Sequence, residues 1–189
     1  MGAVSPVPFF DAALCERAVK EIIEPTIKGL VKDNLPYQGF VFFGLINTSK
    51  GPKVIEYNVR MGDPETEVVI PRLESDLIDL FVAMNEGTLD QVDLQVNPQT
   101  AATVMVVAGG YPEVYKKGAT ISGLRDFEAT TLYHAGTKGT DEVVTNGGRV
   151  MAFTSFGADK DEALAKSYAS IAEVSFKGMN FRKDIGFDL

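Results

Sequence analysis

The 189-residue sequence predicts an α+β fold, and three observations carry the prediction. An early stretch places apolar residues at helical spacing. Two β-branched and aromatic runs then follow each other across a four-residue turn. The second half reads as short strands divided by glycine-rich turns, with one helix near the end.

The elements follow in order. Asp11 is the N-cap of a helix reading DAALCERAVKEIIEPTIKGLVKD, with Leu14, Ala18 and Ile22 on one face and Pro25 expected to kink or restart it. A turn at Pro36 to Gly39 leads into FVFFGLINT and KVIEYNV, which SKGP joins as an antiparallel hairpin. From Pro64 to about Glu86, the residues Val69, Leu73, Leu77, Leu80, Phe81 and Met84 recur at helical spacing. Asp63 is read as its N-cap, Pro64 as its first residue and Gly87 as the residue just past its end. The polar, aperiodic stretch Thr88 to Gln99 is the best boundary, giving domains 1–95 and 96–189. Beyond it, TVMVVAG, TTLYHAG, EVVTNG and RVMAFTSFG read as strands. Asp159 with Glu162 opens a final helix carrying Leu164, Tyr168, Ile171 and Ala172 on one face.

Composition narrows the function. An apolar fraction of 45% with 10% aromatics excludes disordered and collagen-like classes. No apolar run approaches the roughly 18 to 20 residues of a membrane span, and no basic-then-apolar segment opens the chain, so a soluble, cytoplasmic protein without membrane partners is expected. The net charge of −8, with basic residues scattered, argues against nucleic acid as a partner. A single cysteine and a single histidine exclude Cys/His zinc sites. Cys15, beside Leu14 and Ala18, reads as a buried structural residue more than as a nucleophile, and His134 as a structural, hydrogen-bonded residue more than as a catalytic base.

Chemistry concentrates in EYNVRMGDPET. Strand alternation points Glu56, Asn58 and Arg60 one way, and Tyr57 and Val59 the other way toward a core. A carboxylate and an amide carbonyl are hard oxygen donors suited to Mg²⁺, and an arginine beyond them suits a carboxylate or phosphate. The same pattern also describes the solvated face of an edge strand. What favours chemistry is the helix start that follows, whose free N–H groups attract anions.

EYNVRMGDPETEVVIPRLESDL resembles the signature of the phosphoribosylamine–glycine ligase (glycinamide ribonucleotide synthetase) family of ATP-grasp enzymes. The resemblance continues in MGAVSPVPF, PYQGFVFFGL, VMVVAGGYPEVYKKG, HAGTK, TNGGRV and KGMNFRKDIGFDL, in family order across the chain. It implies the C-terminal part of an ATP-grasp domain, antiparallel strands plus helices, followed by a small α+β C-terminal domain. The implied reaction of de novo purine biosynthesis uses ATP to join glycine to 5-phosphoribosylamine through glycyl phosphate, giving glycinamide ribonucleotide, ADP and phosphate. By resemblance Glu56 and Asn58 are ligands of Mg²⁺ (or Mn²⁺), and Arg60 stabilises charge on the acyl acceptor or transferred phosphate. Asp63 and Glu65 are implied on the substrate side; Gly2 and Ser5, in an opening that resembles the tail of a glycine-rich substrate-side loop, are read either as contacts of the ribose phosphate or as a plain turn before the helix. Arg149 is read either as a phosphate contact or as a solvated turn residue.

The family's chain is about twice this length, so the sequence is expected to be a fragment whose partner is the missing N-terminal lobe, and to be inactive alone. Relatives also place a further metal-binding acid on the preceding strand, which FVFFGLINT lacks. Two alternatives stand beside this reading: another ATP-grasp carboxylate–amine ligase, and a non-catalytic folded module.

Overall fold

The computed structural model describes every residue from Met1 to Leu189. Its strands are β1 (Gly2–Ser5), β2 (Phe42–Thr48), β3 (Gly51–Asn58), β4 (Thr100–Ala108), β5 (Thr130–His134), β6 (Thr137–Lys138), β7 (Val144–Thr145), β8 (Arg149–Gly157) and β9 (Met179–Asn180). The helices are α1 (Ala12–Ala18), α2 (Glu24–Lys32), α3 (Thr66–Val69), α4 (Leu77–Glu86) and α5 (Lys160–Ile171). A π-helical turn at Val19–Ile23 joins α1 to α2.

These elements form two units interleaved along the chain. One holds Met1–Pro6, Asp63–Glu74 and Val96–Leu189; the other holds Val7–Gly62 and Ser75–Gln95. The units therefore differ from the linear division at 95/96. Residues 1–6 belong with the second half because β1 hydrogen-bonds along β4, Gly2 opposite Val104 and Ser5 opposite Ala101. Residues 63–74 belong there because α3 packs against β1, β4 and β8.

In the first unit an antiparallel sheet runs β1-β4-β8-β5, with β9 also on β4. Alternation along β4 sorts its side chains. Ala102, Val104, Val106 and Ala108 join Phe153 of β8 and Ala163, Leu164 and Ile171 of α5 in the main core. Met105 and Val107 join Ala152 in a second cluster with Met1, Tyr111 and Tyr133. The α5 start is as expected: Asp159 Oδ1 accepts from the Glu162 amide at 2.9 Å, and Glu162 Oε2 accepts from the Ala158 amide at 2.7 Å. Along α5 the buried stripe is Ala163, Leu164, Ser167, Ser170 and Ile171, with Tyr168 half-buried and Ala172 exposed.

In the second unit Asp11 caps α1, accepting from the Leu14 amide at 2.8 Å, and Ala18 and Ile22 are buried. Pro25 sits in the first turn of α2, where its missing N–H is harmless, and the π turn before it absorbs the change of phase. Arg17 holds the helix to the hairpin by donating to the Lys50 carbonyl at 3.2 Å. The hairpin pairs Phe42 with Asn58 and Thr48 with Gly51, and a bulge falls where Gly44 faces Glu56 but Leu45 faces Val54.

Three expectations change. Cys15 is exposed, because it lies one position off the Leu14–Ala18–Ile22 stripe. The periodic stretch 64–86 is not one helix. It gives α3, a 3₁₀ turn at Ile70–Arg72 containing Pro71, and then α4. Between them Leu73 bridges Val96, and α4 starts afresh at Asp76, whose carboxylate accepts from the Ile78 amide at 2.8 Å. Asp63 is therefore not an N-cap, while Gly87 does end α4 in the left-handed conformation. Tyr57 and Val59 are not buried in a core: they are 52% and 70% exposed and line an open apolar hollow with Thr26, Leu30 and Leu35.

Candidate functional site

The residues singled out in the sequence fall in both units. Glu56, Asn58 and Arg60 lie in the unit of Val7–Gly62 and Ser75–Gln95, and Gly2, Ser5, Asp63 and Glu65 in the other.

Glu56 and Asn58 close β3 on the same face, and Asn58 Nδ2 donates to Glu56 Oε1 at 2.9 Å. Glu56 is exposed and Asn58 half-buried. Opposite Glu56 the partner strand carries Gly44, and a Cβ there would come within 2.9 Å of Glu56 Cγ, so the glycine makes room for the carboxylate. The pair offers hard oxygen donors on one strand face, a donor set that fits Mg²⁺ or Mn²⁺ bound largely through water and phosphate. No group of three or more His, Cys, Asp or Glu side chains is placed so that it could hold a metal ion, so any cation here depends on ligands from outside this pair. Arg60 departs from the expected alignment. The strand ends at Asn58, the chain bends, and the Arg60 guanidinium donates to the adjacent Met61 carbonyl at 3.0 Å.

In the other unit Asp63 is exposed and bound to Arg149, the first residue of β8. Arg149 Nη1 donates to the Asp63 carbonyl at 3.0 Å and to its Oδ1 at 3.4 Å. Glu65 is half-buried, and its carbonyl accepts from the Val68 and Val69 amides at 3.1 and 3.0 Å, opening α3. The helix runs only from Thr66 to Val69, so the dipole expected from a long helix after Pro64 is absent.

Sequence reasoning missed Glu67. Its Oε2 is buried without a hydrogen-bond partner. Burial, aided by the charges of Asp63 and Glu65 and opposed by its own backbone amide and Arg149, holds its carboxyl above the ordinary carboxylate range. Tyr133 in the Met105 cluster is likewise pushed up, first by burial and further by the Glu67 charge. A carboxylate between Thr66 and Val68 in a periodic run carries no sign of this, because the groups that exchange charge effects with it, Tyr133 of β5 and Arg149 of β8, lie far along the chain.

Gly2 and Ser5 lie in a strand, not in a loop or turn. A Cβ at Gly2 would fall 2.4 Å from the Thr103 carbonyl oxygen. Ser5 Oγ accepts from Arg72 Nη1 at 2.8 Å, and the same guanidinium donates to the Asn97 carbonyl from Nε and Nη2 at 3.2 and 3.0 Å. His134 pairs its Nδ1 with Thr137 Oγ1 at 3.0 Å.

Comparison with known proteins adds what geometry cannot. Residues 1–66 match the phosphoribosylglycinamide synthetase ATP-grasp (A) domain, and residues 101–188 match the phosphoribosylglycinamide synthetase C domain. The chain is 43% identical to the phosphoribosylamine–glycine ligase of Vibrio parahaemolyticus, a match over 99% of this chain and 44% of that protein. The crystal structure of phosphoribosylamine–glycine ligase from Thermotoga maritima superposes with a TM-score of 0.84 at 31% identity, covering 97% of this chain and 46% of that one. In fold alone, the biotin carboxylase domain of Hydrogenobacter thermophilus 2-oxoglutarate carboxylase, a complex with MgADP, ADP and bicarbonate, superposes with a TM-score of 0.64 at 14% identity. The chain thus spans about half the length of the ligases it matches. With an ATP-grasp (A) match followed in order by a C-domain match, and near-complete alignment of its own length to these enzymes, the chain belongs to the phosphoribosylglycinamide synthetase family.

Proposed function

We propose that this chain forms part of a phosphoribosylamine–glycine ligase, an ATP-dependent enzyme that joins glycine to 5-phosphoribosylamine through glycyl phosphate. The observation that carries the reading is the Glu56–Asn58 donor pair at the end of β3, set in a segment that matches the family's ATP-grasp (A) domain. Residues 1–95 contribute to the ATP-grasp part and residues 96–189 form the C-terminal domain.

In this reading Glu56 and Asn58 hold Mg²⁺ or Mn²⁺, which when bound offsets the negative charge of the nucleotide phosphates. Arg60, exposed and held only by a neighbouring carbonyl, is free to swing onto the acyl acceptor or transferred phosphate. Asp63 and Glu65 present carboxylates to the glycine ammonium or the ribose hydroxyls, with Arg149 fixing the Asp63 backbone. Gly2 and Ser5 offer backbone and hydroxyl to the ribose phosphate. The remaining ligands for ATP come from the part of the ligase that this chain does not span.

The test is a chimera in which this chain replaces the matched segment of the Vibrio parahaemolyticus ligase. ADP release is expected only with Mg²⁺, ATP, glycine and phosphoribosylamine all present. Release that persists without glycine, or that follows a different carboxylate in a substrate panel, would overturn the assignment.

A further inference from the structure

β1 and the segment that follows Gly62 are joined through one side chain, Arg72, which ends the 3₁₀ turn after α3 and is half-buried. Its Nε and Nη2 both donate to the Asn97 carbonyl, at 3.2 and 3.0 Å, and the Asn97 amide donates back to the Arg72 carbonyl at 2.7 Å. Pinned in this way, the guanidinium donates from Nη1 to Ser5 Oγ at 2.8 Å. Ser5, Arg72 and Asn97 lie in the same unit, so one side chain gathers residues 67 and 25 positions away from it along the chain.

Two features of this arrangement point beyond packing. The first is charge. Arg17, Arg125, Arg149 and Arg182 each pair with a carboxylate, whereas the partners of Arg72 are a carbonyl and a hydroxyl. Burial is the one influence that moves its pKa, and it moves it down, as expected of a cation that no anion offsets. Such a cation favours an anion beside it. The second is the hydroxyl. Ser5 Oγ accepts from the guanidinium and gives its own proton to no group of the chain. Its hydrogen is thereby turned away from Arg72, and the charge behind it makes it a stronger donor. The backbone under it is held by β4, with Ser5 opposite Ala101.

We propose that Arg72 is a positioning residue for the phosphate of 5-phosphoribosylamine: it holds Ser5 Oγ as an acceptor, so that the Ser5 hydroxyl donates to a phosphate oxygen. The inference rests on the ligase reading, in which Ser5 meets that phosphate. Asn97 fixes the guanidinium, the guanidinium fixes the hydroxyl, and the unpaired charge adds attraction for the anion. A lysine at this position keeps the charge but lacks the planar fork that binds Asn97 and Ser5 together.

The test has two arms. In the first, ribose 5-phosphate is titrated into this chain and followed by NMR through the Ser5 amide, with ribose as the comparison. Ribose 5-phosphate should shift the signal and ribose should leave it. Arg72→Met and Ser5→Ala should each weaken binding by roughly tenfold, the scale of one charge-assisted hydrogen bond. The double variant should bind no more weakly than either single one, because both remove the same bond. Arg72→Lys should recover part of the loss. Arg125→Met, which removes an arginine bound to Glu173 in the same unit, should leave binding unchanged. In the second arm, Arg72→Met in the chimeric ligase should raise the KM for phosphoribosylamine by about tenfold and leave the KM values for ATP and glycine unaltered.

The proposal is overturned if ribose 5-phosphate does not bind, if Ser5→Ala fails to reproduce the loss, if the two losses add, or if all three KM values rise together. Ser5→Ala removes only a hydroxyl from a half-buried strand residue, so it decides the matter even where Arg72→Met does not fold. Binding that Arg72→Met abolishes, together with an inactive chimera, would refute the ligase reading and leave this site standing. An active chimera whose phosphoribosylamine KM ignores Arg72→Met would do the reverse.

Discussion

Asn58 Nδ2 donates to Glu56 Oε1 at 2.9 Å across one face of β3, which fixes two oxygen-bearing side chains side by side at the end of the hairpin. If the pair holds the cation, Glu56→Ala in the chimeric ligase should cut turnover by about 100-fold or more, the scale seen when one charge-stabilising group is lost. Asn58→Ala should cost less, because a neutral amide contributes less field than a carboxylate. ADP release titrated against Mg²⁺ measures both, and wild-type turnover in Glu56→Ala would remove the metal role.

Glu67 should make the protein less stable as pH rises. Its carboxyl titrates above the ordinary value of 4.5 in the folded state, first because of burial, so the folded protein binds the proton more tightly than the unfolded chain. The stability this gives is fully present below the unfolded value and is lost as pH rises through the folded one. Glu67→Gln removes the titration, so melting temperatures measured from pH 4 to pH 8 should fall less steeply than for the wild type. Parallel curves would show that the buried Oε2 is hydrated.

Thr154 Oγ1 donates to Thr103 Oγ1 at 2.8 Å between β8 and β4, and both residues are at most 2% exposed. Thr154→Val should cost about 1–3 kcal/mol, because it leaves one buried hydroxyl unpaired in an otherwise packed sheet. Adding Thr103→Val should recover much of the loss, since two methyls of matching shape replace the pair. Denaturant unfolding of the single and double variants decides it, and additive losses would contradict the pairing.

Arg149→Met should affect local order more than global stability. The Arg149–Asp63 ion pair is 37% and 48% exposed on its two side chains, and pairs of that kind contribute about 0–1 kcal/mol. The bond to the Asp63 carbonyl, however, steadies the turn that opens α3. Hydrogen exchange at the Val68 and Val69 amides, which bond the Glu65 carbonyl, should accelerate while the β4 amides keep their protection. Unchanged exchange would show that the turn holds itself.

Much of this was legible from local chemistry. Asp11 and Asp159 announce helix starts because a short acidic side chain reaches its own first-turn amides, which requires nothing from the rest of the fold. The hairpin and the adjacency of Glu56 and Asn58 follow from period-two alternation. The same logic failed at 64–86, where spacing predicted one helix. Leu73 instead pairs with Val96, a partner the local pattern does not contain, and Pro71 has already ended the first turn. It failed again at Arg60, one bend past the end of the strand.

By itself the sequence determined the α+β class, most element starts and the chemistry concentrated in EYNVRMGDPET, because these depend on neighbours within a few residues. Only the tertiary structure decided that β1 completes the sheet of the second half, that Arg149 holds Asp63 from 86 residues away, and that Glu67 buries its Oε2 where its charge acts on Tyr133. It also decided that one unit leaves its apolar residues outside. Such facts arise where distant segments share a face and desolvate one another, and periodicity records which residues can be buried but not what buries them.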